Sequence, residues 1–94
     1  MIAQLQQLVE NIQYYLGLND LTSTVIPRDE TTVELEIQCE GEDFFVGNYA
    51  EPGLTITWLG DHTLNGEQHS LVLVNGIVIS AYAKHIVGWA LGYE

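Results

Sequence analysis

The chain has 94 residues, 47% of them hydrophobic, and its 13 acidic residues against two basic ones give a formal net charge of −11. A chain of this length forms one domain, residues 1–94, and its hydrophobic content is too high for intrinsic disorder. The near absence of lysine and arginine disfavours direct binding to DNA, RNA or an anionic membrane, because such binding depends on neutralising phosphates.

The cysteine content and the first residues indicate where the protein works. Cys39 is the only cysteine, so neither an intramolecular disulfide nor a cysteine cluster for zinc is possible. The start of the sequence lacks the basic residues and the long apolar run of a signal peptide. No apolar stretch reaches the roughly 18 residues of a membrane span. These features favour a cytoplasmic protein.

Residues 2–16 are predicted to form an amphipathic helix, because apolar residues recur at spacings of three and four. Gly17 follows, where a left-handed C-terminal cap is expected. The polar face is rich in amides and nearly uncharged, so it can contact a partner without desolvating charges. The apolar positions are Ile2, Leu5, Leu8, Val9, Ile12 and Leu16, and the amides are Gln4, Gln7, Asn11 and Gln13.

Residues 18–30 are predicted to be a connection, with Pro27 among its structure breakers. From residue 32 apolar residues recur at every second position, up to Cys39. This period of two predicts a strand with one apolar and one acidic face. This alternation is typical of an antiparallel sheet with one solvated side. A turn at residues 40–42 predicts that residues 43–49 return as the partner strand.

The next segments predict further strands. Residues 54–58 alternate as a third strand, and residues 60–68 are predicted to be a polar loop. Asn75-Gly76 between two β-branched runs predicts a hairpin with a type I′ turn, which needs positive φ at both central residues. Both strands of this hairpin are apolar on both faces, so we expect them in the middle of the sheet. One of their faces is then covered by a helix, and the other is left for a partner, a curl of the sheet, or nothing. We hypothesise a dimer or an obligate partner, because large exposed apolar patches usually mark an interface.

From residue 83 the helical period returns, with apolar residues on one face up to Leu91. The sequence therefore predicts an α+β fold. Its parts are an N-terminal helix, an antiparallel meander sheet of about five strands and a short C-terminal helix.

The sequence offers only weak candidates for metal binding or catalysis. Residues 61–66 begin like a calcium-binding EF-hand loop, but Val72 stands where the closing glutamate is needed. His62 and His69 flank this segment without a recognised zinc-ligand spacing. Cys39 is expected to pack on the apolar face of its strand. We therefore expect no enzyme activity, no catalytic residue, no cofactor and no metal.

A cluster of acids is the strongest functional feature of the sequence. On an extended strand, Glu34 and Glu36 are about 6.6 Å apart, which resembles the roughly 6.8 Å between every second phosphate of a DNA strand. An acidic strand can thus present charge at a nucleic-acid-like density, although the same residues also serve simply as a solvated face. Seven of the 13 acids lie within residues 29–43, and we predict that they bind the partner: Asp29, Glu30, Glu34, Glu36, Glu40, Glu42 and Asp43.

These features favour a non-enzymatic, protein-binding inhibitor that presents an acidic, DNA-mimicking face to a basic, nucleic-acid-binding protein. Small phage anti-defence proteins, including anti-CRISPRs and DNA mimics, work in this way as a class. Two alternatives remain open. One is an immunity protein or antitoxin that neutralises a basic nuclease toxin. The other is a homo-oligomeric structural or adaptor subunit, such as a homodimer.

Overall fold

The backbone follows the predicted change of period, from helix to strands and back to helix. The computed structural model describes residues 1–44, 46 and 53–92. The predicted α+β fold is confirmed. The elements are α1 (Ala3–Gly17), β1 (Thr22–Pro27), β2 (Thr32–Cys39), β3 (Glu42–Asp43), β4 (Gly53–Leu64), β5 (Glu67–Val74), β6 (Ile77–Ser80) and α2 (Ala83–Leu91).

The strands form one antiparallel sheet in the order β1-β2-β4-β5-β6. β3 pairs with Gln38 and Cys39 of β2. It lies on the same edge of β2 as β4, because β1 occupies the other edge. Of the return strand predicted over residues 43–49, Asp43 belongs to β3, whereas residues 45 and 47–49 lie outside the described residues.

Two local predictions near the N-terminus are wrong. The connection expected over residues 18–30 contains strand β1, which is rich in β-branched residues and ends at Pro27 on the edge of the sheet, where proline is tolerated. The left-handed cap expected at Gly17 is also absent. Gly17 is still helical, and the positive φ of 61° belongs to Asp20.

Two-residue turns with positive φ at both positions connect three pairs of strands. Asn75-Gly76, with φ of 49° and 85°, is the predicted turn, and Glu40-Gly41 and Asn65-Gly66 repeat its conformation. The polar loop predicted over residues 60–68 is therefore wrong, since β4 and β5 continue through it and turn at Asn65-Gly66. Beyond Thr57, β4 has no pairing with β2, and over residues 61–68 this hairpin end projects with both faces exposed to water.

Both helices pack on one face of the sheet, where the core lies. The prediction that both strands of the Asn75-Gly76 hairpin lie in the middle of the sheet is wrong for β6, which is an edge strand. No helix in the described part of the chain combines the length and hydropathy that a membrane span requires. The largest fully buried side chains include Leu5, Ile12 and Leu16 of α1, Leu35 and Ile37 of β2, Leu54 and Ile56 of β4, Val72 of β5 and Ile86 of α2.

Any side chain at Gly53 is predicted to destabilise the fold, because two backbones approach closely there. It pairs with Glu36 of β2, and a Cβ atom at this position would collide with the carbonyl oxygen of Leu35. Gly53→Ala should therefore lower the free energy of unfolding by about 1–3 kcal/mol, as overpacking does. Urea denaturation measures this change.

Gly17→Ala is the matched control for that substitution. Gly17 lies in α1 with open space around the position of a Cβ atom. The same added methyl group should raise the free energy of unfolding by about 0.5–1 kcal/mol there, since alanine is the better helix former. Equal stability of the two variants would contradict the close approach at Gly53.

Candidate functional site: the open face of the sheet

The face of the sheet that points away from both helices is the candidate site, and we call it the open face. Its residues follow from strand alternation and register, because directly opposed residues share a face. The hydroxyl groups of Thr32 and Thr57 lie 3.3 Å apart across β2 and β4, as this assignment requires. The open face carries Thr22, Thr24 and Ile26 of β1, Thr32, Glu34, Glu36 and Gln38 of β2, Gly53, Thr55 and Thr57 of β4, Leu71 and Leu73 of β5, and Val78 and Ser80 of β6.

The open face has two halves of different chemistry. The half formed by β1, β2 and the start of β4 carries carboxylates, threonines, one amide and one aliphatic residue, Ile26. The half formed by β5 and β6 is mainly aliphatic, with Leu73 opposite Val78 and Leu71 opposite Ser80, and Val78 is 57% exposed. An acidic surface and an apolar surface thus adjoin on one side of the sheet.

The structure places three of the seven predicted acids on the open face. Glu34 and Glu36 follow each other at two-residue spacing on β2, as predicted. Asp43 of β3 lies opposite Gln38, so it extends the same row by one position. The row is therefore Glu34, Glu36 and then the Gln38–Asp43 pair.

The other four predicted acids lie near the two ends of β2. Asp29 and Glu30 belong to the turn that precedes β2, and Glu40 lies in the turn that follows it. Glu42 is opposite Cys39, on the side that faces the helices. The seven acids therefore do not form one surface. They are spread along a strand of eight residues, about 26 Å of chain.

Asp29 has a structural role in its turn. Its Oδ1 accepts hydrogen bonds from the backbone N–H of Thr31 at 2.9 Å and from the Thr31 hydroxyl at 3.3 Å. These bonds, led by the one from the Thr31 N–H, hold the pKa of the Asp29 carboxyl below its ordinary value. Asp29 thus stays ionised and stabilises the turn between β1 and β2.

Arg28 modifies the charge of the open face, which the sequence alone did not indicate. Its Nη2 lies 2.6 Å from Oε2 of Glu34, so one of the two acids on β2 is paired with a cation. The hydrogen bond from Arg28 lowers the pKa of Glu34, and the same bond raises the pKa of Arg28. The uncompensated negative charge of the open face therefore lies toward Glu36 and Asp43.

The structure also corrects the expectation for Cys39 and positions the histidines. Cys39 is exposed rather than packed, because it ends β2 beyond the buried part of the sheet. His62 and His69 oppose each other in the projecting hairpin, and Nε2 of His69 lies 3.5 Å from Oε2 of Glu67. Over residues 1–44, 46 and 53–92, no three His, Cys, Asp or Glu side chains group to hold a metal ion. That the protein lacks a metal stays a prediction.

Comparison of the chain with protein-family models, with curated proteins and with solved structures found no match. The geometry and the electrostatics of the open face are therefore the basis for the function proposed below.

The Arg28–Glu34 pair predicts a pH-dependent effect of Glu34→Gln. A lowered pKa in the folded state stabilises the protein above the ordinary value of 4.5, and this contribution is lost as the pH falls through the folded-state pKa. At pH 7, Glu34→Gln should therefore unfold at lower urea than the parent protein. Below the pKa of Glu34 the difference should vanish, because both side chains are then neutral.

Glu36→Gln is the matched control for this measurement. Glu36 lies on the same strand and face, and it acts on Arg28 only through longer-range attraction. Glu36→Gln removes one negative charge, as Glu34→Gln does, and it gives the same relief of repulsion among the acids of the chain. If the two variants have the same stability at pH 7, the pairing of Arg28 with Glu34 is not stabilising in solution.

Proposed function

We propose that this protein is a non-enzymatic inhibitor that binds a basic surface of another protein through its open face. The observation that supports this best is the meeting of an acidic and an aliphatic surface on a side of the sheet that neither helix covers. Protein interfaces commonly combine an apolar centre with a polar, charged rim. In this proposal Leu73 and Val78 supply apolar contact, and Glu36 and Asp43 supply charge.

The distribution of charge supports a basic partner. The chain carries a net charge of −11 with only two basic residues. Arg28 is paired with Glu34, and Lys84 lies on α2, in the other layer of the fold. The field over the open face is therefore negative, and it attracts lysine- and arginine-rich surfaces over about one Debye length, 8 Å at physiological salt.

The spacing of the acids supports a partner that normally binds nucleic acid. Glu34 and Glu36 are about 6.6 Å apart along β2. Asp43 continues the row from the neighbouring strand β3, opposite Gln38. A groove that accommodates phosphates at about 6.8 Å for every second nucleotide can accept such a row. The proposed class is that of small phage anti-defence proteins, such as anti-CRISPRs. An immunity protein against a basic nuclease would use the same electrostatics.

Exposure of the acids is the reason to propose binding rather than catalysis. Glu36 and Asp43 are exposed to solvent. Carboxylates that act as general acids or bases at neutral pH are generally shifted in pKa by burial or by close neighbours. Exposed carboxylates in a row are better suited to steering a charged partner and to positioning it.

The proposal predicts that charge on the open face matters more than charge elsewhere. Glu36→Gln with Asp43→Asn removes two acids from this face, while Glu10→Gln with Glu67→Gln removes two exposed acids from α1 and the projecting hairpin. Exposed ion pairs contribute about 0.2–1 kcal/mol each. The open-face variant should therefore bind its partner about 2–30-fold more weakly than the control variant, mainly through a slower on-rate.

The measurement begins with capture of the partner from cells on the immobilised protein. Affinities of the purified partner for the parent and both variants are then compared at about 0.1 M and 1 M salt, where the Debye length falls from about 10 Å to 3 Å. The parent should lose more affinity with salt than the open-face variant. Equal affinity of the two variants, with the same salt dependence, would rule out the acidic face as the binding surface.

A homo-oligomeric subunit is the second candidate, and the edge of the sheet favours it. β6 ends the sheet with only four residues, and its Ile77 and Val78 side chains are 40% and 57% exposed. An exposed apolar edge strand readily pairs with another chain. Sedimentation measures the mass in solution. This candidate is favoured over the inhibitor if the parent protein is a dimer, if Val78→Lys makes it a monomer and if the acidic variants remain dimers.

A further inference from the structure

A second surface of the molecule has a different chemistry, and it lies on the side of the helices. It is a groove of about 360 Å³ between α1, β4 and the segment that enters α2, and we call it the aromatic groove. Leu8 and Ala83 are its most buried lining residues. Its other walls are formed by four aromatic side chains, Tyr14, Tyr15, Trp58 and Tyr82, and by three amides, Gln4, Gln7 and Asn11.

The aromatic side chains line the groove from two sides. Tyr14 and Tyr15 of α1 meet edge to face, with centroids 5.3 Å apart and planes at 82°. Tyr82 lines the groove from the segment before α2, and Trp58 lines it from β4. Tyr14 and Tyr82 are 60% and 56% exposed, so both are accessible to a ligand. Faces of aromatic rings attract cations, with tryptophan the strongest and tyrosine next.

The amide wall supplies neutral hydrogen-bond acceptors. Gln4, Gln7 and Asn11 follow one stripe of α1 at spacings of three and four residues. Nε2 of Gln7 donates to Oδ1 of Asn11 at 3.2 Å, which orients the Gln7 side chain along the helix. Carboxamide oxygens accept hydrogen bonds from N–H donors without needing a counter-ion.

Charge is absent from the lining of this groove, as far as the described residues show, although the chain as a whole carries −11. A ligand here meets aromatic side chains and amides inside the negative field of the molecule. That combination suits a planar, weakly hydrated cation with several donors. Guanidinium has these properties, whereas the lysine ammonium is compact and strongly hydrated.

We propose that the aromatic groove binds the guanidinium group of an arginine side chain from a protein partner. The guanidinium plane stacks on the tyrosine and tryptophan rings, and its N–H groups donate to the amide wall. This inference goes beyond the function proposed for the open face and does not rest on it, because the groove shares no residue with that face.

Titration of the ¹⁵N-labelled full chain with N-acetyl-L-arginine amide tests the proposal directly. The indole N–H signal of Trp58 should shift and saturate, while that of Trp89, which does not line the groove, should change little. N-acetyl-citrulline amide has nearly the same shape without the charge and should bind at least about tenfold more weakly. N-acetyl-lysine amide carries the charge without the plane and should also bind more weakly than the arginine compound.

Three variants test whether binding takes place in the groove. Tyr14→Leu and Tyr82→Leu each remove one exposed ring and should weaken binding about two- to fivefold. Leu18→Ala changes a side chain that is 64% exposed and lies outside the groove, so it should leave binding unchanged. The dispersion of the amide spectrum reports whether each variant is folded.

The ligand series on the unaltered protein decides the proposal even if a variant fails to fold. Absence of a saturable shift of Trp58, or equal binding of the citrulline and arginine compounds, would overturn it. Tighter binding of a neutral disaccharide than of the arginine compound would also overturn it, because the groove would then recognise hydroxyl groups rather than a cation. None of these outcomes bears on the open face, which the affinity comparison of the acidic variants tests separately.

Discussion

Burial of one face of the sheet beneath two helices is the interaction on which the rest of the structure depends. Helices of 15 and nine residues cover the side that carries Leu35 of β2, Ile56 of β4 and Val72 of β5. Because side chains alternate along a strand, burying this row fixes the opposite row in water. A slip of one residue in β2 would bury Glu34 and Glu36. The hydrophobic core therefore determines where the acids of the open face lie.

The sheet also keeps these acids apart from other acids on neighbouring strands. Glu34 lies between Ile26 and Thr55 in the register, and Glu36 lies between Thr24 and Gly53. Like charges directly opposed across strands are destabilising, and neutral neighbours avoid that cost. The negative charge of the open face is thus arranged along β2 and continued by Asp43 of β3, rather than spread over the whole face. A row of this kind is compatible with stable folding and still presents repeated charge to a partner.

The periodicity of the sequence predicts α1 and β2, since each has a clear contrast between its two faces. The Asn75-Gly76 hairpin has no such contrast and is predicted by the residues of its turn. β1 has little such contrast, because Ser23 and Pro27 share the core side with Val25, and its pairing with β2 is visible only in three dimensions. The Arg28–Glu34 pair depends on that pairing. The alternation of Glu34 and Glu36 was predictable from β2 alone, whereas the aromatic groove combines residues from separated segments and was not.

The two surfaces impose a geometric condition on any single partner that uses both. The molecule measures 43 × 27 × 23 Å along its principal axes, and the open face and the aromatic groove belong to different layers of the fold. A basic domain that covers the open face therefore needs a further segment to place an arginine in the groove. A partner with an arginine-bearing flexible arm beside its basic surface can do both. The effective concentration from such a linkage would raise affinity beyond that of either surface alone.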